Sequence, residues 1–444
     1  MKNSRQPSAE IQRGEYPKCW QPEFCVLCTE RRLDCISTEA DISYLLTRNT
    51  LKGSPVPKPQ RKNLHIGDTR GPVFEFEVDG VRQQAHKTWY RGENSHFNPS
   101  VENMQTVNAV ADHVLAGWVP PEPSITHKTN IVAFGSCFAE HITSWLAKSN
   151  FNVLNRKDGD WGETYIARFG EGMVNSHAIL QQFEWALEGK AFTEELWHDK
   201  DAASLGIDEA IRLQTQGALM ASDFFIITLG LAEVWSDKAS GDVFWRAVPE
   251  DKYDPAKHEF RVTTHGENLE NLNRIYQLIR KHRPSAKIMF TLSPIPLVAT
   301  FRPVSSITAN AASKAILRAA LDEFLRAHQP DDADLHYWPS YEIAMDVFAN
   351  RWSEDRRHIK PKILEYIMTL FEHTWCTGTP QMGLTEAWVR AQCAAGALPK
   401  RINQFLEHGE DDKLEALLAN RSETVKAMVK QAQRERKARL DAIP

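Results

Sequence analysis

An apolar run that halts at Gly-Ser and resumes at once in helical spacing, residues 131–140, constrains this chain more than any other stretch. Residues 131–134 read as a buried strand, while Phe138, Ile142, Trp145 and Leu146 recur at the spacing of one helix face. Ser136 is therefore expected at a strand-to-helix turn. In an open α/β sheet such turns meet ligands, because the crevice lies beyond the carboxyl ends of the strands and helix N-termini offer unpaired N–H groups. Gly135 permits the sharp bend. Ser136 then acts either as the helix N-cap or as a nucleophile beside free amide donors.

The same alternation continues along the chain. Residues 224–229 and 288–292 read as further buried strands, 335–339 as a last one and 151–154 as a short one. Between them, helical spacing appears at Ile179, Leu180, Phe183 and Leu187, at Leu269, Leu272, Ile275 and Ile279, over 309–327, and at Ile363, Tyr366, Ile367 and Leu370. Strands alternating with helices predict an α/β fold: a three-layer, doubly wound, mostly parallel sheet. Before it, residues 73–90 alternate in strand fashion about Asp79-Gly80, a strong hairpin signal.

Four segments follow from these textures: a poorly structured cysteine-bearing extension over 1–60, a β-hairpin appendage and connector over 61–129, the main domain over 130–376, and a charged helical segment over 377–444. The extension carries Cys19, Cys25, Cys28 and Cys35. A CxxC pair can give zinc two thiolates, but the outer spacings match no standard finger and no second CxxC follows. Idle thiols are the alternative, and no cofactor is expected. Seven cysteines in a long chain fit reduced thiols better than a disulfide framework. A net charge of −5 argues against bulk nucleic-acid binding, which needs Lys and Arg to neutralise phosphate. The basic residues near the end, Lys426 to Arg439, read as a solvated helix face. No run approaches the length of a membrane span and no leader opens the chain, so a cytoplasmic protein is expected.

Two further positions carry chemistry. Asp355 and His358 form Asp-x-x-His in a polar loop after the last strand, a spacing that lets the carboxylate orient one imidazole nitrogen while the other faces outward. Glu354 stands in reserve for Asp355, Cys137 is a rival nucleophile expected to point away from Ser136, and His177 is a rival base. Asn175 precedes a helix and serves as its cap or as an amide donor to an oxyanion.

Gly135-Ser136-Cys137-Phe138-Ala139 matches the motif that names the GSCFA domain family, whose members resemble divergent SGNH/GDSL esterases. Residues 228–235, 292–297, 338–343 and 355–358 carry the rest of the resemblance, which covers roughly residues 130–375. It implies that Ser136 is the nucleophile, with Asp355 and His358 completing a triad, and that the Ser136 N–H, Asn175 and Gly230 supply oxyanion donors. Where the relatives read Gly-x-Asn-Asp, this chain reads Gly230-Leu231-Ala232-Glu233, so one donor is absent; Ile359 stands where Pro is expected. The implied activity is hydrolysis of a carboxylic ester, with a small-molecule or glycan ester as substrate. An O-acyltransferase with the same triad and a binding module without chemistry are the alternatives.

Overall fold

The computed structural model describes residues 96 and 98–441, apart from 102, 170–171, 193–195, 200 and 379, together with the backbone of four strands between 60 and 91. Those strands, β1 (Gln60–Lys62), β2 (Val73–Val78), β3 (Val81–His86) and β4 (Tyr90–Arg91), form an antiparallel sheet in chain order. Val78 pairs with Val81, so two residues join β2 to β3, the hairpin that Asp79-Gly80 predicts. Cys19, Cys25, Cys28 and Cys35 lie outside the described residues. This sheet is a unit by itself, and the residues from Asn98 onward belong to a second.

The second unit holds β5 (Ile131–Phe134), β6 (Phe224–Leu229), β7 (Glu233–Asp237), β8 (His258–Val262), β9 (Lys287–Leu292) and β10 (Leu335–Trp338). Four of them form a parallel sheet in the order β10-β9-β6-β5. On the outer side of β5, Val153 forms a single parallel bridge to Ile131, and the Asn155 side chain bonds the Ala133 N–H at 3.0 Å and its carbonyl at 2.7 Å. The short strand expected at 151–154 is reduced to that bridge, with an amide side chain standing in for the next peptide. Strands β7 and β8 pair separately as an antiparallel ribbon.

Both faces of the parallel sheet are covered, and the side-chain alternation of each strand divides between them. Ile131, Ala133, Phe224, Ile226 and Met289 pack with α1 (Cys137–Lys148), while Val132, Phe134, Phe225, Ile227 and Phe290 pack with α2 (Ser176–Phe183), α3 (Glu209–Ala221), α4 (His265–His282) and α5 (Ser306–His328). The face bearing α1 is completed by α6 (Pro361–Trp375), α7 (Leu384–Ala395) and α8 (Glu423–Asp441), which bring Ile367, Trp388 and Val429 into the same core. Glu386 on α7 is buried and bonded by Arg439 of α8 at 2.8 Å. Basic residues that read as a solvated face thus help to dock the last helix.

The junction that opened the sequence reading is built on one close approach. Gly135 has φ +134°, and a Cβ there would collide with the Thr228 carbonyl oxygen on β6. Only glycine accepts both the backbone angle and the contact. Gly135→Ala is therefore expected to cost at least about 3 kcal/mol in chemical denaturation; unchanged stability would mean that this contact does not fix the turn.

Candidate active site

The loops after β5, β6 and β9 surround a cleft of about 540 Å³ at the carboxyl edge of the sheet. Ser136, Asn175 and Gly230 all line it, as do Ser293 and Ile295 beyond β9 and Arg357 from the loop after β10. The β7–β8 ribbon adds Trp235 and Phe260 to its wall. Cys137 lines the same cleft, half-buried, instead of being confined to the far side of the helix.

Ser136 is 4% exposed and caps α1, its Oγ accepting from the Phe138 N–H at 3.1 Å. Accepting that bond leaves the hydroxyl hydrogen free to donate. The Ser136 backbone N–H has no partner among the described residues. Asn175 caps α2 in the same way, its Oδ1 accepting from Ala178 N–H at 2.8 Å. That bond fixes the amide orientation and leaves Nδ2 as the group available to the cleft.

Gly230 corrects one expectation. It borders the cleft, yet its N–H donates to the Val174 carbonyl at 2.6 Å, and the Leu231 N–H reaches the same oxygen at 3.2 Å. An N–H already engaged at that distance is not a free oxyanion donor. Ala232, at the position where the resemblance implies Asn, packs in the core, and its N–H is held by Ser313 Oγ at 2.7 Å.

Asp355 and His358 meet as their spacing predicts. His358 Nδ1 lies 2.5 Å from Asp355 Oδ2, and Asp355 Oδ1 accepts from the backbone N–H groups of Arg357 and His358 at 3.0 Å each. Those two N–H bonds, and then the His358 ring, hold the Asp355 carboxyl down at about 2. The loop is closed by a bridge between Trp352 and Ile359 and by the Ser353 N–H on the His358 carbonyl at 2.8 Å. His358 is half-exposed, and its ring makes no hydrogen bond to Ser136 Oγ. It stands near the same helix: desolvation lowers the His141 pKa, Glu140 opposes this, and the charge of His358 lowers it further. Glu354 is exposed and makes no bond to the imidazole. His177 is absent from the cleft lining, and burial, followed by Arg261, pushes its pKa down to about 4 while Glu267 resists.

Sequence reasoning missed Lys314. Its Nζ, at a residue only 3% exposed, donates to the carbonyls of Gly230 at 2.6 Å, Ser293 at 2.7 Å and Ile295 at 2.8 Å, all three on the cleft lining. The signal was present: Lys314 falls on the buried stripe of α5 with Ala309, Ser313, Leu317 and Leu321, where a lysine needs partners. Trp245 was missed too; it seats on Gly172, where any Cβ would strike the indole. Among the described residues no group of His, Cys, Asp or Glu is arranged to hold a metal ion.

A parallel α/β sheet with its cleft at the carboxyl edge and a serine at the first strand-to-helix turn defines the class of protein. The chain belongs to the GSCFA family, whose sequence model matches residues 130–371. No curated protein matches the chain. No helix of the described residues is long and apolar enough to cross a membrane.

Replacing Lys314 by Met would leave three buried carbonyls without a donor, at about 1–3 kcal/mol each. A loss of about 3 kcal/mol or more is expected in urea titration. A change below about 1 kcal/mol would mean that the loops hold without the ammonium group.

Proposed function

We propose that the protein is a serine hydrolase that cleaves a carboxylic ester through an acyl-enzyme. The observation that carries this reading is the joint position of two prepared groups. Ser136, with a free backbone N–H at the start of a 12-residue helix, lines the cleft, and the bonded Asp355–His358 pair sits in a loop whose Arg357 lines it too. The sheet order supports the reading further: with the Val153 bridge counted, the chain order is 2-1-3-4-5, a doubly wound order, and the cleft opens at its switch point.

In this mechanism the bond to Asp355 fixes the Nδ1–H tautomer of His358, so Nε2 is the base. For attack, His358 Nε2 has to come within hydrogen-bond reach of the Ser136 hydroxyl, a contact that tightens when substrate excludes water. Ser136 Oγ attacks the ester carbonyl as its proton passes to Nε2. The Phe138 N–H and the positive end of the helix stabilise the charge growing on Oγ. The Ser136 N–H and Asn175 Nδ2 receive the oxyanion. His358 then protonates the departing alkoxide, takes a proton from water as that water attacks the acyl-enzyme, and returns it to Ser136 Oγ as the acyl–oxygen bond breaks and the acid leaves. With Gly230 engaged and no Asn at 232, the hole has two donors, and each missing donor slows turnover by roughly 100- to 1,000-fold. Passing the acyl group to another alcohol needs the same groups and makes an O-acyltransferase.

A non-catalytic binding module is the second reading, favoured by the unbridged Ser136 and His358 and by the engaged Gly230 N–H. A fluorophosphonate probe separates the two. Labelling of Ser136 in the intact chain, abolished by Ser136→Ala and His358→Ala and slowed at least about 100-fold by Asp355→Asn, is expected for the hydrolase. No label on folded protein favours the module, and label on Cys137 moves the nucleophile.

The pH dependence has a defined sign. Asp355 stays ionised down to about 2, so it contributes no titration in the working range. The part of labelling that depends on the ionised Asp355 carboxylate is therefore expected to hold as pH falls and to be lost only as pH approaches about 2. Labelling that survives His358→Ala would assign the base elsewhere.

A further inference from the structure

The cleft has a second property that the triad does not use: its wall is dominated by apolar groups that continue to the outside of the molecule. Leu231, Trp235, Trp245, Phe260, Leu297 and Phe301 line it. Phe301 meets Trp235 edge-on at 5.1 Å and Phe260 at 5.3 Å, and Trp235 meets Phe260 at 5.6 Å, so three rings form one locked panel. At the rim, Val298 is 73% and Phe301 58% exposed although both face the cleft. Exposure of large apolar side chains continues along the same loop to Val304 and into the first turn of α5 at Ile307. Apolar residues clustered this way, and continuous with a pocket, mark the track of an apolar ligand.

The charged groups of the wall are mostly engaged with the protein. Glu233 Oε1 accepts from Thr300 at 3.0 Å and faces Arg302 at 3.8 Å, and Arg246 stacks over Trp245 at 4.3 Å. Glu233 Oε2 and Arg357 Nε are buried without a partner.

Resting on the hydrolase reading above, we propose that the substrate is an ester with a long apolar chain, whose proximal part lies against the Trp235–Phe260–Phe301 panel and whose distal part leaves over Val298. The chain can belong to the acyl group or to the alcohol. Each methylene that enters the cleft strengthens binding about fourfold, until the chain outgrows the wall and the gain levels off.

Two ester series on the full-length chain test this. One varies the acyl group from acetyl to dodecanoyl on 4-nitrophenol; the other varies the alcohol from ethanol to dodecanol on acetate. A kcat/KM that climbs about fourfold per carbon in one series supports the proposal and identifies the side that carries the chain. Phe301→Ser and Val298→Ser, at exposed positions that folding tolerates, are expected to flatten that climb. Equilibrium binding of the same esters to Ser136→Ala measures the wall without catalysis. Affinities there that ignore chain length, or a preference for acetylated sugars over dodecyl acetate, would overturn the proposal. Loss of all ester turnover, with chain-length-dependent binding retained, would instead count against the triad and leave the apolar track standing.

Discussion

The ammonium group of Lys314 is the fixed point about which the cleft is arranged. It is enclosed by protein, and its nearest partners are three carbonyl oxygens that end or follow two parallel strands. Strand termini at a carboxyl edge present such oxygens in excess, and a buried cation answers several at once where a neutral donor answers one or two. Burial pushes the Lys314 pKa down to about 7, and the three carbonyls are what allow a lysine to stand there at all. This one side chain ties the loops carrying Gly230, Ser293 and Ile295 together, beside the Ser293 N–H bond to the Leu229 carbonyl at 2.8 Å. Helix α5, far from Ser136 in sequence, thereby sets the far wall of the serine's pocket.

Ser136 caps its helix, and the nucleophilic role proposed for it does not compete with that bond. Capping uses the lone pairs of Oγ, and nucleophilic attack uses the same oxygen after its hydrogen has left, so the Phe138 N–H is compatible with both. Asn175 divides its amide in the same manner, with oxygen to the helix and nitrogen to the cleft. Gly230 has no such division available. A backbone N–H has one hydrogen, and Val174 takes it.

Elements with a strong local pattern were legible. Strand β6 covers the residues its apolar run marks, and β5 ends where Gly135 begins, because strands buried on both faces read as unbroken hydrophobic runs. Asp355 and His358 were legible as a pair because three residues of a tight loop bring them together. The β7–β8 ribbon was not, since residues 238–257 separate its strands and no short turn announces the pairing. The fate of the Gly230 N–H was equally hidden, because its acceptor sits on a distant loop. Lys314 was readable as a lysine on an apolar stripe, but its partners come from two other loops. Non-local hydrogen bonds, more than apolar contacts, are what a single sequence conceals.

The packing of α8 has a consequence for how the protein is made. Met428, Val429 and Ala432 join the same core cluster as Phe138, Ile142 and Leu146 of the helix that begins at Ser136. In translation the serine-bearing helix emerges well before α6, α7 and α8, so the layer that these three add to its face of the sheet closes after it. The contacts that α8 makes with this face therefore belong to the late part of the core's assembly.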